Sequence, residues 1–193
     1  MRAGANLAAG LTPAGLIQRS SPSAVALSLA RARREFKALE EWLLREETCQ
    51  LPLHEVEREQ ERRGREIQRL LLEAHMAQRG TGEVGPAIEV RAADSSEPEV
   101  LQTHRRLDPR HPQTIFGEIT IERLGSRHPG SPAVHPLDDQ LPLPHRSFSY
   151  ELQRRLLKAV VQGPFDEAIE RVQESTGVGI PKRSAEQLTR EAA

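Results

Sequence analysis

The chain has 193 residues, a formal net charge of −1, 37% hydrophobic residues and only 3% aromatics. That near-neutral balance excludes binding of polyanions through bulk charge, so any nucleic-acid site has to come from local clusters of basic residues. The single cysteine, Cys49, excludes an internal disulfide and any multi-cysteine zinc site, and the thin apolar fraction predicts several small units rather than one large core.

Residues 1–22 are rich in Ala, Gly, Ser and Pro without periodicity and are expected to be disordered. They lack the apolar run of a signal peptide, and no stretch of eighteen apolar residues follows, so a cytoplasmic protein without a membrane partner is expected. Residues 23–79 predict a helical hairpin. Leu27, Ala30, Arg34 and Ala38 share one face, and Phe36, Leu39, Trp42, Leu43 and Glu46 form a stronger stripe at three- and four-residue spacing. Pro52 in CQLPLH forbids a continuous helix. The second helix, EVEREQERRGREIQRLLLEAHMAQRG, carries Val56, Ile67, Leu70, Leu71, Ala74 and Ala77, and its first half alternates Glu and Arg. Gly80 and Gly82 supply a stop. The pair either packs on itself or acts as a dimerisation arm, in which Trp42 meets a partner; Gly64 weakens a continuous heptad seam.

Residues 80–126 predict a small antiparallel β segment, from AIEVRA, EVLQTHRRL and TIFGEITIERL. In the last run Ile115, Ile119 and Ile121 fall on one face and Glu118, Thr120 and Glu122 on the other, as in a half-buried strand, while DPRHPQ reads as a turn before it. His104, His111, His128 and His135 are read as surface histidines, because no cysteine or suitably spaced carboxylate joins them. Residues 127–146 form a Pro-rich connector.

Residues 147–193 predict a three-helix unit of the helix-turn-helix kind. Its first helix is capped by Ser147 or Ser149, presents Leu152, Leu156, Ala159 and Val160 on one face, and ends at Gly163-Pro164. Phe165, Ala168, Ile169 and Val172 line the next helix, and Ser175-Thr176-Gly177 makes the turn. The last helix starts near Pro181 or, if Ser184 and Gln187 form a capping box, a turn later. It offers Lys182, Arg183, Ser184, Gln187 and Arg190 on its outer side, with Leu188 inward. Lys and Arg neutralise phosphates or reach guanine edges, Gln pairs with adenine, and the helix N-terminus favours a phosphate. Ala168 and Gly177 are nine positions apart, wider than in the tightest motifs of this kind. Arg105, Arg106 and Arg110 in THRRLDPRHP are candidates for additional phosphate contacts.

Three blocks, FGEITIERLG, HPLDDQLPLP and FSYELQRRLLKAVVQGPFDEAIERVQESTGVGIPKRSAEQL, together resemble the N-terminal half of bacterial insertion-sequence transposases of the ISKra type, over about Phe36 to Gln187. The resemblance implies a helical arm, a short β segment and a helix-turn-helix that binds double-stranded DNA at the element's terminal repeats. It also implies that the catalytic part is an RNase H-like domain with divalent metals, which this chain lacks, so no catalytic residue and no cofactor are expected here. Some relatives carry zinc-binding cysteines between strand and connector; none stands here. Asp138 and Asp139 belong to the connector block, and Asp166 and Glu167 to a helix's first turn, where acids favour the dipole. Cys49 has no base placed beside it. The other expectation, from a different class, is an interaction protein that associates through the hairpin, with itself or with a full-length transposase, and regulates the latter.

Overall fold

The computed structural model describes residues 22–85, 88, 104–127, 133–141, 143–144 and 147–192. The fold is mainly α with a small antiparallel β segment, as the sequence predicts. Residues 1–21, most of AIEVRA, His128 and part of the Pro-rich connector lie outside the described residues.

Helices α1 (Pro22–Leu43) and α3 (Leu53–Gln78) form the hairpin, joined by a single turn, α2 (Glu46–Cys49). The two long helices pack against each other. On α1 the buried positions are Ala32 and Leu39, seven apart, with half-buried Val25 another seven back, which is the spacing of a coiled-coil seam. This corrects the sequence expectation: Leu27, Ala30, Arg34, Phe36 and Ala38 face outward. An apolar stripe of Leu, Phe and Ala does not by itself say which of two overlapping faces the partner helix will cover. Trp42 finds its partner inside the hairpin, with the Arg63 guanidinium 4.8 Å from its ring centroid.

The charged half of α3 is laced by pairs three and four apart. Arg62 and Arg63 both reach Glu59 at 2.6 Å, and Arg69 holds Glu66 at 2.7 Å. The hydrogen bonds from Arg62, then Arg63, hold the Glu59 carboxyl at about 2. Such pairs stabilise a helix by about 0.2–0.5 kcal/mol each, so they support α3 where it lacks apolar residues. Gly80, with φ 81°, follows the end of α3.

Strands β1 (His104–Leu107), β2 (Gln113–Thr114), β3 (Gly117–Glu118) and β4 (Leu124–Arg127) make one two-stranded ribbon. His104 pairs with Arg127, Arg110 with Ile121, and Gln113 with Glu118, all in a single register. The expected turn at DPRHPQ is therefore part of the ribbon's first arm, and the expected long strand TIFGEITIERL is folded back on itself. The reversal is at Ile115-Phe116. There Gly117 takes φ 115°, and the Thr114 hydroxyl donates to the Gly117 carbonyl at 2.8 Å while accepting from Phe116 N at 3.2 Å. Pro112 removes the ladder donor opposite Ile119, whose N still reaches Pro112 O at 3.1 Å, while Pro109 lies between the bonded pairs Asp108–Arg123 and Arg110–Ile121 and costs the ladder no donor.

The ribbon joins two cores. Ile119 and Ile121 pack with Met76 of α3 and with Leu137 of α4 (Pro136–Gln140), a short helix inside the expected connector. Ile115, at the reversal, packs instead into the C-terminal core. Gln113 N donates to Ser147 O at 2.6 Å and Ser149 N to Gln113 O at 2.8 Å, which ties the ribbon to the start of the C-terminal unit. Arg69 braces the other side, donating to Glu118 O at 3.2 Å.

Candidate nucleic-acid interface

The C-terminal unit consists of α5 (Tyr150–Gln162), α6 (Phe165–Thr176) and α7 (Lys182–Ala192) around Leu152, Leu156, Ala168, Val172, Val178, Ile180, Ala185 and Leu188. Ser149 is the cap of α5, accepting from Leu152 N at 3.3 Å. Helix α6 is longer than the sequence reading has it. Ser175 and Thr176 are its last residues, and Thr176 donates to Val172 O at 2.6 Å, so the turn begins at Gly177 with φ 70°. The connection 177–181 buries Val178 and Ile180, and these two side chains fix how α7 leaves the turn. Pro181 O accepts from Ala185 N at 3.0 Å, so α7 starts at Lys182 rather than a turn later.

Helix α7 presents two opposite faces. Ala185 and Leu188 are buried, whereas Arg183, Gln187 and Arg190 are exposed at four- and three-residue spacing. At about 100° per residue those three form one stripe directly opposite the buried pair. Arg183 and Arg190 make no ion pair among the described residues. Ser184 flanks the stripe, half-buried. Lys182 projects about 100° to the side, where its Nζ meets Asp166 Oδ1 at 2.6 Å. That hydrogen bond, together with the charge of Asp166, raises the Lys182 ammonium above its ordinary value. Of the expected α7 residues, then, Arg183, Gln187 and Arg190 converge on one free face, and Lys182 is engaged with α6.

The ribbon arginines divide as well. Arg105 is ion-paired with Glu83. Arg110 is half-buried, donating to Pro144 O at 2.6 Å with Asp138 at 3.9 Å, so it braces the connector. Arg106 is exposed and carries no ion pair among the described residues. Arg127, which pattern reasoning passed over, is exposed on the paired strand.

His135 departs from the expected surface histidine. Its side chain is mostly buried, and Nε2 donates to Asp108 Oδ2 at 2.7 Å. Arg123 binds Asp108 at 2.9 Å and also pairs with Asp138. Burial pushes the Asp108 carboxyl up, but the hydrogen bond from His135 and the charge of Arg123 outweigh it and hold the group below its ordinary value. Asp138 is thus an ion-pair partner of Arg123, Asp166 of Lys182, and Glu167 of Arg171 at 3.4 Å. Among the described residues no three His, Cys, Asp or Glu side chains gather as a metal site, and no described helix is long and apolar enough to cross a membrane. Comparison with protein-family models, with curated proteins and with solved structures finds no match to this chain.

Proposed function

We propose that the chain is the DNA-binding portion of a bacterial insertion-sequence transposase and that α7 recognises the ends of the element. The observation that carries this reading is the α7 stripe of Arg183, Gln187 and Arg190, free of acid partners among the described residues and pinned from behind by Ala185 and Leu188. A rigid helix with unpaired arginines and a glutamine on its outer face is what major-groove reading requires: forks for guanine, an amide for adenine. Binding is the role this geometry serves; the metal-dependent chemistry belongs to the RNase H-like domain of such transposases.

Fluorescence anisotropy with a duplex from the element's ends and a scrambled duplex, over a salt series, tests it. Arg183→Glu/Arg190→Glu should weaken binding to the end duplex at least tenfold, since each arginine that reads a base is worth about 1–3 kcal/mol. Arg58→Ala in the arm should leave binding unchanged. Asp166→Asn should tighten binding several-fold, because it releases Lys182 from an exposed, weakly held pair and removes a negative charge near the helix start. Equal affinity for both duplexes, vanishing with salt, would defeat the reading.

A second reading, association through the hairpin to regulate a full-length transposase, draws on a different observation. At the hairpin tip Leu44 is 84% and Leu53 73% exposed, beside partly exposed Leu51. Trp42 is already stacked on Arg63, so the tip leucines are the informative positions. Leu44→Ser/Leu53→Ser should lower the association constant in sedimentation at high concentration. A wild-type chain that stays monomeric there removes this reading.

A further inference from the structure

Beside β1 and β4 lies a cleft of about 600 Å³ whose walls include Arg106, Arg127, Gly125, His135 and Asp108. Its shape follows from the register. Arg106 pairs with Gly125, and Arg127 stands two residues along β4 on the same face, so the two arginines are diagonal neighbours about 7–8 Å apart at their bases. Val134 pairs with Ser126 on the outer side of β4, which brings His135 alongside Gly125. A Cβ on Gly125 would lie 2.8 Å from His135 Nε2, so only glycine lets the imidazole lie across the strand and leaves the space between the guanidinium groups open.

The charges in this cleft are sorted. Asp108 is the one carboxylate among its described lining residues, and it is already held by His135 at 2.7 Å and Arg123 at 2.9 Å. Arg106 and Arg127 have no such partner among the described residues. Among the described residues, two guanidinium forks without an ion-pair partner thus line one open space, while Asp108 is held by His135 and Arg123 and Glu83 by Arg105. A phosphodiester has one negative charge and two non-bridging oxygens, and it fits such a pair with one oxygen to each guanidinium.

We propose that this cleft is a phosphodiester-binding site, and that Arg106 and Arg127 grip the backbone of the duplex whose bases α7 reads. The inference rests on the DNA-binding reading of α7 and adds to it a second, sequence-independent foothold on a separate element. It replaces the set Arg105, Arg106 and Arg110 by Arg106 and Arg127, since Arg105 and Arg110 are already engaged with Glu83 and Pro144.

The test uses the full chain and both duplexes. Arg106→Gln/Arg127→Gln should weaken binding to the end and scrambled duplexes by the same factor, on the order of tenfold at moderate salt, and reduce the slope of log K against log salt by about 1, as expected for one phosphate. An unchanged slope overturns the cleft site and leaves the α7 reading standing. A loss confined to the end duplex also overturns it, because the arginines would then be reading bases. If Arg183→Glu/Arg190→Glu keeps the sequence preference while the cleft variant loses its slope, the α7 reading falls and the cleft stands. Should the cleft variant misfold, the Arg106 and Arg127 Nε–H resonances of the wild-type chain serve instead. They should shift when scrambled duplex is added, and unmoved resonances overturn the site.

Discussion

Leu156→Ala should lower the unfolding free energy by about 3 kcal/mol, within the range for a leucine truncated in a closed core. Leu156 and Leu152 are 0% exposed on α5, against Ala168 and Val172 of α6 and Ala185 and Leu188 of α7. The loss is large because α5 packs against both other helices, so relaxation of one does not fill the void. For a chain of this size it corresponds to a fall in melting temperature of roughly 10 °C, measurable by circular dichroism. On the DNA-binding reading proposed above, binding should persist well below the new midpoint, since the outer face of α7 is untouched. Loss of binding at temperatures where the variant is still folded would mean that Leu156 does more than fill the core.

The second large effect is expected at a glycine. Gly82 has φ 77°, and an added Cβ would lie 2.7 Å from the Leu137 backbone N and 2.8 Å from its Cβ. Gly82→Ala therefore combines a left-handed backbone cost of about 1–2 kcal/mol with an overpacking cost of about 1–3 kcal/mol. The atoms it meets are backbone and the root of a side chain, so they cannot swing aside. Gly85→Ala carries strain without this crowding: among the described residues nothing lies within 4 Å of its added Cβ, although its φ of 118° lies further from the left-handed well than that of Gly82. Urea unfolding should find Gly82→Ala less stable than the wild-type chain by about 2–5 kcal/mol. A loss of only about 1–2 kcal/mol would show that α4 shifts freely away from Gly82.

The helices were legible because their boundaries carry chemistry: Pro52, Gly80, the Ser149 cap, Gly163-Pro164 and Pro181 each act locally. Helix α4 was not, since five residues starting with Pro136 are too short to show a period. The ribbon misled for another reason. Alternation in TIFGEITIERL has the same period whether the run is straight or doubled back, and only the positive φ of Gly117 with the Thr114 hydroxyl bonds decides between them. Lys182 looked equivalent to Arg183 by type and proximity. Its angular position on α7, a quarter-turn from the stripe, sends it to Asp166 instead. Arg127 and His135 had no signal at all along the chain, because what brings them to Arg106 is strand register over twenty-odd positions.

The ribbon's reversal sits in one core and its stem in another, with Ile115 and Ile119 only four positions apart on a continuous backbone. Neither core can melt alone without pulling on a hairpin that the other core holds closed. The arm side and the C-terminal side should therefore exchange their most protected amides in the same opening event, as one cooperative unit rather than two. The two small cores that the ribbon joins gain by this what a single large core would otherwise supply: the stability of each becomes available to both.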